Sequence, residues 1–451
     1  MRIEPGYLNP NSIFKRQPHA AIAHLGLFCV TAWFVWRFGA IALGSLVIFG
    51  FLTYLAINKP FYILLLTIAT IFFPANFEKA LGQNFPITPT RLFGIMLLLA
   101  IITHFNRANW QYLKSNKTVV IAVVLLLWGA FTDLVSYPEY IATFLIDTIP
   151  SLIVLAAIVL FVEKRADLNK LLVVIMLACL VTAVSGFLQP NTGRAAGLSG
   201  NANSLAYNCM IGLTLTLAFI KKTLPLVKII LLLLLAVIFL AVFGMAASRS
   251  ATIGLLAVAF VVMKNYIKKP SNLVIIFLLF VIFIYVAPEI FWQRLSYIPL
   301  PGHAAYSSIQ SETGIRAWMY GRGWELFLES PVWGWGAFSY PKISGSFIPY
   351  VMHSWYLAML CEQGIIGLAL YLAFFITVYK NIKSGMKEGL NIDNVSKYLL
   401  ALAIGLAVSG IFGTGPLGKL VFVMAGISVV LAKISASNDF KGTNVAVATK
   451  Q

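Results

Sequence analysis

The run LVKIILLLLLAVIFLAVFGM, residues 226–245, carries a single charge, Lys228. As a helix rising 1.5 Å per residue, a run of that length spans about 30 Å, the thickness of a bilayer's hydrocarbon core. Comparable runs recur along the chain, at 20–36, 38–57, 60–74, 91–105, 118–135, 147–162, 170–188, 204–220, 250–263, 271–287, 354–379, 396–413 and 416–433. Those at 60–74, 91–105 and 250–263 are short, so the expected count is 12–14 transmembrane helices. Of the 451 residues, 60% are hydrophobic and 11% charged, against about 25% charged in soluble domains. A β-barrel would alternate over segments of about ten residues, and no such alternation occurs. The expected fold class is all-α, a polytopic integral membrane protein.

Working outward, the polar connections set the orientation. One series is basic: Arg107/Lys114/Lys117, Lys164/Arg165/Lys170, Lys221/Lys222/Lys228, Lys264/Lys268/Lys269 and Lys380/Lys383/Lys387/Lys397. The alternate series is nearly free of lysine, and 136–148 holds Glu139 and Asp147 without a base. By the positive-inside rule both termini are cytoplasmic. The net charge of +18 is therefore topological rather than a nucleic-acid surface. The expected division is a cytoplasmic segment 1–19, transmembrane helices 20–287, a large outer loop 288–353, transmembrane helices 354–433 and a cytoplasmic tail 434–451. Residues 1–19 are polar and lack an Ala-x-Ala site, so the first apolar run is expected to be a retained span. Cys29, Cys179, Cys209 and Cys361 lie in or beside apolar runs with no Cys-x-x-Cys pair, as small core residues do.

On the outer side the sparse bases are mostly arginines: Arg194 in 189–203, Arg249 in the short turn 246–250, and Arg294, Arg316 and Arg322 in the long loop. Topology disfavours positive charge there, and an arginine at the membrane boundary points to function unless it snorkels to lipid phosphate. Arg249 sits among small residues in Gly244-Met-Ala-Ala-Ser-Arg-Ser-Ala-Thr-Ile-Gly254, where helices pack closely. Arg194 lies in a Gly- and Asn-rich segment that ends at Asn203. Arginine with exposed backbone amides suits a phosphate, although most such segments are simply loops.

His353 stands where the long loop meets the next span. An imidazole with a pKa near 6.5 can accept a hydroxyl proton at neutral pH, or it can be an interfacial side chain bonded to a carbonyl. Glu362, nine residues on in an apolar run, would face away from His353 on a regular helix, which favours a structural role in holding the loop. Trp318, Tyr320, Trp324, Trp333, Trp335, Phe338, Tyr340 and Tyr350 fit either the aromatic belt of a membrane interface or stacking on sugar rings. There is no Asp-x-Asp pair, no His/Cys cluster, no His-Glu-x-x-His, no P-loop and no dinucleotide fingerprint. No metal and no cofactor is expected.

At these residues the chain resembles the O-antigen ligase and polymerase superfamily of bacterial envelope glycosyltransferases, over roughly 190–380. The resemblance rests on Arg194 and its loop, Ser248-Arg249, Arg316-x-Trp318, Pro331-x-Trp-Gly-Trp-Gly336 and the His353 segment. The ligase-type pattern of His, then Asn/Ser/Gln, nine residues, Gly, two residues and Gly/Thr/Tyr is met by His353, Ser354, Gly364 and Gly367. The resemblance implies an enzyme of the bacterial inner membrane whose site faces the periplasm. Its donor would be an undecaprenyl-diphosphate-linked glycan and its acceptor a lipid A-core sugar or, for a polymerase, a second lipid-linked glycan. Transfer would be inverting and metal-free. It further implies Arg194, Arg249 and His353 as catalytic residues, with Arg316, Arg322, Trp318, Asn203 and Ser354 binding substrate. The His353 pattern leans toward ligase. A transporter or flippase of lipid-linked sugars would also use intramembrane arginines, but with inverted repeats and charges near the midplane. A purely structural envelope protein leaves Arg249 without a reason.

Overall fold

The computed structural model of the protein describes residues 40–73, 89–105, 107–189, 194–220, 224–264, 289, 291–292, 312–345, 351–386, 393–413 and 418–448. Among these residues all regular structure is helical. The chain divides into two units, residues 1–59 and 60–451. The first is described through α1 (Ala40–Asn58). The second holds α2 (Pro60–Ile71), α3 (Pro89–His104), α4 (Arg107–Ser115), α5 (Lys117–Ser136), α6 (Ile141–Phe161), α7 (Arg165–Phe187), α8 (Ala202–Phe219), α9 (Leu226–Ala246) and α10 (Arg249–Met263). These are followed by α11 (Glu312–Glu329), α12 (Tyr340–Ile343), α13 (Trp355–Ser384), α14 (Asp393–Ser409) and α15 (Lys419–Ala448).

Hydrocarbon offers no partner for a backbone amide, so an apolar run of this length satisfies its own N–H and C=O groups as a helix. Six described helices are long and apolar enough to cross a membrane: α5, α6 with the turn before it, α7, α9, α13 and the first 18 residues of α15. Shorter apolar helices at 47–58, 60–71, 91–104, 249–263 and 394–409 accompany them. The expected spans 20–36 and 271–287 lie outside the described residues, as does Arg294. On α9 the side chains of Leu226, Val227, Leu231, Leu234 and Val237 are exposed. A stripe of that kind suits lipid rather than water.

Inside the second unit, α8 packs against α7, α9, α10 and α14, while α13 packs against α5, α11, α14 and α15. Small residues set the closest approaches. A Cβ on Gly254 of α10 would lie 2.9 Å from the Gly405 carbonyl oxygen of α14, the packing that glycine permits in membranes. Antiparallel α5 and α13 are tied at both levels. Asn381 Nδ2 donates to Thr118 Oγ1 at 2.9 Å, and Trp128 Nε1 donates to the Gln363 carbonyl at 3.0 Å. Lys117 opens α5 at the Thr118 end, and Lys397 lies close to Lys264. The other end carries the residues of the candidate site.

Two expectations change. The connection 136–148 is short: a 3-10 turn at Pro138–Tyr140 leads directly into α6. Asp147 therefore lies two turns inside an apolar helix and not in a loop. Residues 312–345, expected as loop, fold as α11, a set of glycine turns and α12. Met319 and Leu326 of α11 are buried with Tyr340, Met352, Ala358 and Cys361 in a small core of their own. This segment is anchored to the bundle: Lys342 pairs with Glu139 in the turn before α6 and lies over the Tyr137 ring at 4.9 Å.

Candidate active site

Arg194 is built into the bundle rather than borne on a free loop. Its Nε donates to the Ala246 carbonyl at 2.9 Å, and its Nη2 to Asn203 Oδ1 at 2.9 Å. Ala246 is the last residue of α9. Ala247 then takes φ 46°, ψ 52°, Ser248 is extended, and Arg249 opens α10. A non-glycine residue in that left-handed region is strained, and such strain concentrates at functional sites. The contact to Ala246 thus fixes Arg194 against the turn that carries Arg249. Arg194 is tied to the helix end that precedes Arg249, 55 residues on in the sequence.

Among the described residues, the amides that follow Arg194 are already taken. Gln189 Oε1 accepts the N–H groups of Ala196 and Gly197 at 2.8 and 2.9 Å, and Ser185 Oγ accepts that of Leu198 at 2.8 Å. The Ala195 N–H donates to the Met245 carbonyl. These amides shape the loop, so charge on this wall comes from the guanidinium.

The long segment approaches the same place. Tyr320 of α11 donates its hydroxyl to the His353 carbonyl at 3.0 Å. Burial pushes the Tyr320 hydroxyl up, while the charges of Arg316 and Arg249 pull it down. Tyr320 therefore sits within electrostatic reach of both arginines and remains a neutral donor. Through it the structure brings Arg249, Arg316 and the His353 segment together. Sequence reading noted Tyr320 only as one aromatic among many; its i, i+4 spacing from Arg316 was the available signal.

His353 itself lies before the helix. Ser354 is the N-cap of α13, and its hydroxyl oxygen accepts the Leu357 N–H at 3.4 Å. That places Ser354 in a capping role. With His353 outside α13, the opposite-face argument about Glu362 does not apply, but the structural role assigned to Glu362 does. Gly364, at φ 67° and ψ −170°, breaks α13. The freed carbonyls of Cys361 and Glu362 accept N–H groups from Trp335 and Gly336 at 3.0 and 2.8 Å, and the Ile365 N–H donates to the Pro331 carbonyl at 2.8 Å. The Glu362 carboxylate takes the N–H groups of Phe338 and Tyr340. The Pro331–Gly336 motif is thus a turn stitched into a broken helix.

The other expected binding residues separate. Trp318 packs against the core beneath α11. Arg322 pairs with Glu325 at 3.1 Å and Glu329 at 3.4 Å on its own helix; 200° around α11 from Tyr320 by helical geometry, it is apart from the Arg249 group. Asn203 is both the partner of Arg194 and part of the wall of a cavity of about 440 Å3. That cavity also meets Trp355, two residues after His353, and Tyr207, whose hydroxyl lies beside Ser250. Its remaining wall includes Asp147, Asn201, Phe338 and Lys419, none of which hydropathy singles out as a set because they come from separate elements. Among the described residues no group of three His, Cys, Asp or Glu side chains is placed to hold a metal.

Fold and site together define a multi-pass helical membrane protein with an arginine-rich centre at one end of its bundle. Residues 232–372 match the family model described as O-antigen ligase, which supports the O-antigen ligase superfamily. The match takes in Arg249, Arg316, Tyr320, His353 and the glycines of the broken helix, and leaves Arg194 and Asn203 outside. No curated protein matches the chain.

Proposed function

We propose that the chain is a ligase-type glycosyltransferase that moves a glycan from undecaprenyl diphosphate to a lipid A-core hydroxyl, at the periplasmic face of the bacterial inner membrane. The observation that supports this reading is the Arg194 bond to the Ala246 carbonyl, which ties Arg194 to the end of α9, beside the turn that leads to Arg249. A diphosphate leaving group needs stabilised negative charge, and fixed cations in a site poor in water supply it effectively. The N-terminus of α10 adds its dipole to the same sign.

In the proposed step the acceptor oxygen attacks the anomeric carbon from the face opposite the diphosphate. The carbon–oxygen bond to the diphosphate breaks and its electron pair leaves with the lipid diphosphate, inverting the configuration. His353 takes the hydroxyl proton, and Tyr320 steadies the backbone of that histidine. Arg194 and Arg249 carry the departing charge, with Arg316 nearby, so no metal is required. Arg322 and Trp318 support α11 at the rim.

A competition reconstitution tests this. Purified protein in proteoliposomes is given a labelled undecaprenyl-diphosphate-linked glycan, with lipid A-core and an unlabelled lipid-linked glycan as rival acceptors. Label on lipid A-core is the expected result. Label in lengthened lipid-linked glycan instead would identify a polymerase, and movement across the bilayer without transfer would identify a transporter.

A further inference from the structure

The cavity of about 440 Å3 falls in the usual range for small-molecule sites, roughly 300–1,000 Å3. Its lining is mixed. Asp147, Asn201, Asn203 and Lys419 supply carboxylate, amides and ammonium, while Phe338 and Trp355 supply aromatic faces. A polyprenyl tail would need none of those polar groups. A sugar ring uses both kinds, hydroxyls pairing with carboxylate and amide and C–H faces lying on aromatic rings. The place of Asp147 in the fold points the same way. It stands inside the apolar helix segment Pro138–Phe161, where an ionisable side chain is costly and marks a ligand path by default.

We infer that this cavity is a saccharide subsite that takes the sugar directly attached to the donor's diphosphate, with Asp147 and Lys419 as its polar anchors and Trp355 and Phe338 as its apolar wall. The inference rests on the proposed donor chemistry and extends it to residues outside the arginine centre. The donor's sugar, rather than the acceptor's, is assigned because Asn203 belongs to both sites: it lines the cavity and accepts from Arg194. Sugar in the cavity and diphosphate at Arg194 would put the anomeric bond between them. Trp355 places the His353 segment on the same wall. Phe338, at φ 61°, is held there by the Glu362 carboxylate on its N–H.

Binding to full-length protein in nanodiscs tests the subsite. The probes are undecaprenyl diphosphate alone and undecaprenyl diphosphate carrying one glucose, galactose, N-acetylglucosamine or N-acetylgalactosamine. At least one glycosylated lipid is expected to bind tenfold or more tighter than the bare lipid. Asp147→Asn should erase that advantage and leave the bare lipid's affinity within twofold, whereas Arg194→Ala should weaken both lipids. Lys419→Gln provides the same readout if Asp147→Asn does not fold. A sugar-independent affinity in the wild type, or an advantage that survives both substitutions, overturns the subsite while leaving the diphosphate site standing. If the wild type binds neither lipid, the proposed donor chemistry falls as well.

Discussion

Arg194 is fixed before any ligand arrives, because its Nε and Nη2 are already directed at Ala246 and Asn203. A lysine keeps the charge but lacks the rigid planar fork that fixes the guanidinium on its two acceptors. Arg194→Lys is therefore expected to lower transfer by tenfold or more with folding intact, measured as initial rate beside a size-exclusion profile. Transfer at the wild-type rate would show that charge alone suffices there. Arg194 and Arg249 stood out in the sequence as candidates because positive charge in lysine-poor connections has no topological reason. The amide cradle was misread, since nothing in a Gly/Asn-rich string tells whether Gln189 and Ser185 will claim its N–H groups. Asn203 was legible only as part of that string; its bond to Arg194 spans a turn that only the fold closes.

At the scale of elements, the break in α13 decides how the segment after α11 docks. A side chain on Gly364 would run into the Val332 carbonyl, and its φ of 67° disfavours any L residue. Gly364→Ala should cost about 1–3 kcal/mol from backbone strain alone, more with the displaced turn. Gly321 has nothing within 4 Å of its missing Cβ and lies inside helical α11. Gly321→Ala should be neutral or stabilise by about 0.5–1 kcal/mol. Thermal unfolding of both variants in one detergent checks the pair; equal melting temperatures would contradict the broken-helix account. Span positions were readable because hydropathy is a local signal. The turn Pro331–Gly336 was not, because its N–H groups go to the carbonyls of Cys361 and Glu362, far along the sequence and freed by a kink that glycine permits but does not announce. Helix α11 was hidden as well: Gly321 and Gly323 argue against helix by propensity, and its burial of Met319 and Leu326 depends on partners at 340–361.

For the whole molecule, the residues of the proposed centre come from separate elements, each supplying one part of it. The α9–α10 turn brings Arg249, the segment before α8 brings Arg194, α11 brings Arg316 and Tyr320, and the start of α13 brings the His353 edge. The cavity, assembled from helices and turns far apart in the chain, required the fold. The most direct measurement of the central claim is the release of undecaprenyl diphosphate coupled to glycan transfer, in proteoliposomes with EDTA present throughout. One lipid diphosphate released per glycan transferred is expected from the wild type, with the rate falling about 10²–10³-fold in Arg249→Ala, as for loss of a transition-state charge partner, and comparably in His353→Ala. Full-rate release by correctly folded Arg249→Ala protein, or transfer that stops with EDTA and returns with a divalent ion, would contradict it.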